Sequence, residues 1–144
     1  MLMERRDSAR ALPCPGMEPK LSTGPCRILV VDDNVDAADT LVALLEACGF
    51  CACAVYDGAE AVLLAELLRP SLVLLDIDMP GMDGYETAAC IRGTEDGTPA
   101  QLVALTARDQ DPDRVLVASA GFDLHVIKPI GCGQLCELAE AAYR

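Results

Sequence analysis

The chain of 144 residues has no tryptophan, 3% aromatic residues, a single histidine, and 11 Lys and Arg against 23 Asp and Glu. The scarcity of positive charge, a net of -12, argues against nucleic acid as a partner, because that binding runs on clustered Lys and Arg. No apolar stretch approaches the roughly 20 residues of a membrane span. Residues 1–10 hold no hydrophobic segment and form no secretory signal. With so few aromatics, a core must be built from aliphatic and small side chains. That suits a Val/Leu-rich sheet covered by Ala/Leu-rich helices, and one domain of this length buries a real core without disulfide or metal support. An acidic surface fits a soluble, cytoplasmic protein whose partners are other proteins, with neither nucleic acid nor membrane among them.

The single histidine also limits metal chemistry. Around Cys48-Gly49-Phe50-Cys51-Ala52-Cys53 there is no second close-spaced CxxC, so a four-ligand zinc site lacks obvious partners. A thiolate metal site or redox switch is one reading of the cluster; the expected one is small buried apolar residues at a helix end and on a strand. Eight cysteines in a chain without a secretory signal are expected to be reduced thiols rather than a disulfide framework. Cys132 and Cys136, on one helix face, are read like the 48–53 cluster, as small buried apolar residues.

The first 26 residues carry Pro13, Pro15, Gly16, Pro19, Gly24 and Pro25 with no apolar period, and are expected to form a disordered tail. From residue 27 short apolar runs alternate with amphipathic stretches. Strands are expected over about 27–31, 51–55, 72–75, 101–105 and 122–127. Helices are expected over about 35–48, 59–68, 84–92, 113–119 and 132–143. Gly49 would close the first helix, Pro70 would stop the second, Asp83 would cap the third, and Asp111 with Pro112 would start the fourth. Five strand–helix units in order predict an α/β domain at 27–144 with a doubly wound five-stranded parallel sheet and right-handed crossovers.

The chemistry collects at strand ends. Asp32-Asp33 end the run Ile28-Leu29-Val30-Val31, Asp76 ends Leu72-Val73-Leu74-Leu75, Thr106 ends Leu102-Val103-Ala104-Leu105, and Lys128 ends Leu124-His125-Val126-Ile127. In a parallel sheet these ends converge on one edge, where ligands bind. Three carboxylates, a hydroxyl and an ammonium in one pocket suit a divalent cation and a phosphoryl group. A carboxylate that attacks phosphorus brings two anions together, and a hard cation offsets part of that charge.

These residues resemble the receiver domain of two-component response regulators over about 26–144. The stretch Leu74-Leu75-Asp76-Ile77-Asp78-Met79-Pro80-Gly81-Met82-Asp83-Gly84 is similar to the family's phosphoacceptor loop, as are Val30-Val31-Asp32-Asp33-Asn34, Ala104-Leu105-Thr106-Ala107 and Lys128-Pro129 to its other site segments. The resemblance implies a CheY-like, flavodoxin-like sheet of order 2-1-3-4-5. It implies Asp76 as phosphoacceptor, with Mg²⁺ (or Mn²⁺) on Asp33 and Asp76 directly, on Asp32 through water, and on the backbone carbonyl of Asp78. Thr106, the Ala107 amide and Lys128 would hold the phosphoryl oxygens, and the Lys128–Pro129 peptide would be cis. A histidine kinase or histidine phosphotransfer protein would be the donor. The output would be a protein contact or onward phosphotransfer by a stand-alone receiver, monomeric or dimerising on phosphorylation, since no output domain follows residue 144.

Two departures stand out. The family usually places Tyr or Phe where His125 stands, a switch position paired with Thr106. A smaller, more polar ring there implies a weaker or pH-sensitive switch. Asp78 and Arg108, two residues past Asp76 and Thr106, could pair across the pocket mouth and slow dephosphorylation. Asp76-Ile77-Asp78 also resembles the DxD of haloacid-dehalogenase-like phosphatases, but there the DxD strand comes first and the acidic pair last. Here Asp32-Asp33 precede it.

Overall fold

The computed structural model describes residues 27–94, 100–107 and 114–142. Among the described residues ten elements alternate: β1 (Ile28–Val31), α1 (Val35–Ala47), β2 (Ala52–Val55), α2 (Gly58–Leu68), β3 (Leu72–Asp76), α3 (Gly84–Thr94), β4 (Gln101–Thr106), α4 (Arg114–Ala120), β5 (Leu124–Ile127) and α5 (Cys132–Ala142). All strands are parallel, in the order β2-β1-β3-β4-β5. This is the CheY-like α/β fold expected above. The tail at 1–26, the helix start at Asp111-Pro112, and Arg108 lie outside the described residues.

Burial explains why the strands read as they do. β1 and β3 are covered on both faces and every residue in them is buried, so their sequences are unbroken apolar runs. The edge strands β2 and β5 are only partly buried, and their patterns are correspondingly mixed. One face of the sheet packs Ile28, Val30, Leu72, Leu74, Val103 and Leu105 against Leu41 and Leu45 of α1 and Leu135 and Ala139 of α5. The other face packs Leu29, Val31, Val73, Leu75 and Leu102 against Ala61 of α2, Ile91 of α3 and Val117 of α4. β1 and β3 lie side by side at the centre, while their following connections lead to opposite edges. That is the switch point where such sheets open a crevice at the carboxyl ends of the strands.

Helix starts follow local chemistry. Asn34 caps α1, its side-chain oxygen accepting from the Ala37 amide at 3.1 Å. Asp83 and Glu86 exchange hydrogen bonds at the start of α3 (2.9 and 3.2 Å), a capping box. α1 stops at Ala47 with Cys48 as its C-cap, and Gly49 follows at φ 96°. The conformation is open to glycine without steric cost.

Three expectations need correction. β5 begins at Leu124, not 122. Phe122 is buried in the core, but Gly121 (φ 106°) turns the chain ahead of it. Asp123 instead brackets β4: its amide donates to the Leu102 carbonyl at 2.8 Å and its carboxylate accepts from the Leu102 amide at 2.9 Å. Secondly, α3 runs on to Thr94. Arg92 near its end anchors this corner, donating to the carbonyls of Gly121 (2.9 Å) and Ala100 (2.7 Å) and pairing with Asp123 (2.8 Å). Thirdly, Cys48 and Cys136, read as reduced thiols, form a disulfide. They are 88 residues apart in sequence; α1 and α5 bring them together by sharing one face of the sheet.

Candidate functional site

The register of the sheet assembles the site. Val31 pairs with Leu75, so Asp32 and Asp76 emerge beside each other, and Asp76 itself pairs with Leu105. Thr106 pairs with Ile127, which places Thr106 and Lys128 at the adjoining strand ends. Carboxylate oxygens of Asp32, Asp33 and Asp76 lie within 4.8 Å of one another. Asp32 and Asp76 are buried (1% and 5% exposed), whereas Asp33 faces solvent. The Lys128 ammonium bridges the two buried carboxylates, 3.2 Å from Asp32 and 3.3 Å from Asp76. The Lys128–Pro129 peptide is cis.

Each charged group is held from behind. The Asn34 amide donates to the Asp32 carboxylate at 3.0 Å, and the Asp32 amide donates to the Val55 carbonyl at 3.0 Å. The Asp78 amide reaches the Asp76 carboxylate at 3.4 Å, while the Asp78 side chain is exposed. The Lys128 amide donates to the Thr106 carbonyl at 2.8 Å. Thr106 is buried and its hydroxyl points to the Val126 carbonyl at 3.4 Å. Ala107 and His125 are both half-buried, His125 paired in register with Ala104.

Electrostatics follow from this crowding. Burial first, then the neighbouring Asp32 charge, push the Asp76 carboxyl up from 3.8 to about 6, against the pull of Lys128. Burial pulls the Lys128 ammonium down, but the charges of Asp76 and Asp32 outweigh it and hold it above its usual value. The pocket is therefore short of positive charge with its lysine already engaged. Clustered oxygen donors, two of them buried, fit a hard divalent cation.

Sequence reasoning placed Gly84 at the end of the 74–84 stretch and the start of a helix but gave it no role. A Cβ there would stand 2.5 Å from the Ile77 Cα and 2.6 Å from the Asp76 carbonyl oxygen, both backbone. The Gly84 amide also donates to the Ile77 carbonyl at 3.0 Å, closing the 77–84 loop. Gly84 thus seats the start of α3 directly on the backbone of Asp76. Its signal in the sequence is a glycine at the first position of a helix behind an already sufficient Asp83 cap. Gly84→Ala is expected to cost about 1–3 kcal/mol by overpacking, read as a lower urea midpoint. An unchanged midpoint would mean that the loop yields freely.

Among the described residues no helix is long and apolar enough to cross a membrane. Residues 28–140 match the response regulator receiver domain family. Curated relatives include the DNA-binding response regulator MtrA of Mycobacterium tuberculosis (strain H37Rv), 37% identical over 118 residues, 82% of this chain and 50% of that protein. The transcriptional regulatory protein PrrA of the same strain is 36% identical over the same shares. The chain thus spans about half the length of these relatives. Among solved structures, the receiver domain of sensor histidine kinase PA1611 from Pseudomonas aeruginosa PAO1, with a magnesium ion coordinated in its active site cleft, is 32% identical. It has a TM-score of 0.72 and covers 83% of this chain and 97% of that one. Vibrio cholerae CheY4, at 21% identity and a TM-score of 0.74 over 83% and 99%, shares the fold.

The expectation that nucleic acid is excluded as a partner is overturned by these relatives, MtrA being a DNA-binding response regulator and PrrA a transcriptional regulatory protein. The acidic balance describes the surface of the stretch at hand. It does not report what a receiver of this family is coupled to. Receiver domains are phosphoacceptor signalling modules that bind Mg²⁺ in the active site, and with its site segments, its fold and its family match in agreement, this chain belongs to the response regulator receiver domain family.

Proposed function

We propose that the chain accepts a phosphoryl group on Asp76 from a histidine kinase or histidine phosphotransfer protein and signals through the resulting change at its surface. The observation that carries this reading is the bridged cluster: three carboxylates within 4.8 Å and one ammonium on two of them. Asp33 and Asp76 would hold Mg²⁺ (or Mn²⁺) directly, Asp32 through a water, with the Asp78 carbonyl as a further donor. The cation supplies charge neutralisation for the phosphoryl oxygens.

Asp76 supplies the nucleophile. One of its carboxylate oxygens bonds to phosphorus as the donor's P–N bond breaks, and the leaving imidazole takes up a proton. Lys128 exchanges one of its carboxylate partners for a phosphoryl oxygen, which suits a compact ammonium on a flexible stem. Thr106, whose hydroxyl rests on the Val126 carbonyl at 3.4 Å, would turn to a second phosphoryl oxygen, beside the Ala107 amide. The chain is then a catalyst only of its own phosphorylation and dephosphorylation, and works in the cytoplasm, where histidine kinases present their phosphoryl groups. The DNA-binding relatives support an output in which the receiver's state bears on a DNA-binding module.

Incubation with acetyl phosphate and Mg²⁺ is expected to add one phosphoryl group to the intact mass, and EDTA to prevent it. Uptake indifferent to EDTA would remove the cation from the account. His125, half-buried on β5, would couple the Thr106 movement to the surface. His125→Tyr is therefore expected to leave phosphoryl uptake within about twofold while changing the affinity of phosphorylation-dependent partners by about 1 kcal/mol, the scale of an added aromatic contact. Equal affinity for every such partner would take His125 out of the switch.

A further inference from the structure

The carboxylate pocket adjoins the N-terminus of α1, and at the C-terminus of that helix stands a second cluster with chemistry of its own. Cys48 caps the C-terminus of α1, and Cys132 and Cys136 occupy the first and fifth positions of α5. A spacing of four puts both α5 sulfurs on one side of that helix. The Sγ atoms of Cys48, Cys132 and Cys136 lie within 4.8 Å of one another. Cys48 and Cys136 are half-buried and bridged, and Cys132 is exposed beside them. Around a tetrahedral zinc with bonds of about 2.3 Å, neighbouring sulfurs stand about 3.8 Å apart. Once the S–S bond is opened, the three thiols therefore sit at nearly the spacing that a thiophilic cation imposes.

We propose that the reduced form of this cluster is a three-thiolate site for a soft, closed-shell cation of the Zn²⁺ or Cu⁺ class, joining the end of α1 to the start of α5. Three sulfurs complete a trigonal shell, or leave one position of a tetrahedron to water. Opening the site consumes two equivalents of a small thiol: each protein sulfur gains a hydrogen, and the reagent leaves as its own disulfide. The cation then displaces the thiol protons. Bridge and cation exclude each other, because Cys48 and Cys136 cannot be ligands while bonded together. The two sites also do not compete for metal. Hard Mg²⁺ seeks the carboxylate oxygens and a soft cation seeks the sulfurs. Cys90, on α3 at the other face of the sheet, takes no part. Cys51 and Cys53 lie outside the group.

The test titrates the full chain, reduced by a small thiol and desalted under inert gas, with Cd²⁺ alone, following sulfur-to-cadmium charge transfer in the near ultraviolet. We expect saturation at one Cd²⁺ per chain and no band from protein whose Cys48–Cys136 bridge is intact. Cys132→Ser should lower the band by about a third, one thiolate of three, and weaken binding; Cys90→Ser should change neither. A Cys132→Ser titration identical to the parent, or a full band from bridged protein, would place the cation on other thiols and overturn the proposal. No band from reduced parent with an intact circular dichroism spectrum would overturn it as well. The comparison of bridged with reduced parent needs no substitution, so a variant that fails to fold leaves the test decisive.

Discussion

Replacing Lys128 with alanine is expected to slow phosphoryl uptake from acetyl phosphate by about a hundredfold, the usual cost of removing one preorganised charge partner of a reacting oxygen. The ammonium stands 3.2 and 3.3 Å from Asp32 and Asp76, and those charges keep it protonated despite burial. Without it, an incoming phosphoryl group loses that positive charge and meets the crowded carboxylates with the divalent cation, Thr106 and the Ala107 amide as its remaining partners. Lys128→Arg should recover part of the rate, because the charge returns, though a planar fork does not reproduce a point charge. Measured at saturating Mg²⁺, a parental rate for Lys128→Ala would show that the lysine is only a structural counter-ion.

Asp76→Asn carries the second large effect, and its sign is opposite to that of most core substitutions. The Asp76 carboxyl titrates near 6 in the folded chain against an ordinary 3.8, chiefly because it is buried and faces Asp32. The folded state therefore holds this proton more tightly than the unfolded one. Stability contributed by the protonated form is fully present below about 3.8 and is lost as pH rises to about 6. At neutral pH the charged carboxylate is a burden on the fold worth about 3 kcal/mol by simple conversion. Solvent at the open mouth of the pocket lowers the measurable part to about 1–2 kcal/mol. In EDTA, Asp76→Asn should raise the urea midpoint at pH 7 and lose that advantage as pH falls toward 4. Saturating Mg²⁺ should narrow the difference by stabilising the parent. An Asn variant no more stable than the parent at pH 7 without metal would show that Lys128 already offsets the crowding in full.

The central strands were legible because burial on both faces writes them as unbroken apolar runs, and Asp32, Asp76 and Thr106 were legible because they end those runs. Lys128 ends the partly buried edge strand β5 and was legible from its Lys-Pro pair. What stayed hidden depends on register and on close approach. Nothing in the order of residues says that Lys128 already bridges Asp32 and Asp76, since that pairing follows from Val31 facing Leu75 and Thr106 facing Ile127. Phe122 reads as a strand residue because it is apolar, yet Gly121 and Asp123 make a turn of its surroundings. Gly84 reads only as the first residue of a helix until its distance to the Asp76 backbone is known. The bond between Cys48 and Cys136 depends on two helices sharing a face of the sheet. The exclusion of nucleic acid failed for another reason: charge describes a surface, not the company a signalling module keeps.

The identity of the acceptor is the claim on which the rest depends, and borohydride reduction tests it most directly. An aspartyl phosphate is an activated acyl group, and reduction converts that side chain to homoserine while untouched carboxylates remain. After incubation with acetyl phosphate and Mg²⁺, then borohydride and peptide mapping by mass, homoserine is expected at residue 76 alone. Homoserine at Asp32 or Asp33, or a phosphorylated chain with unreduced Asp76, would contradict the account.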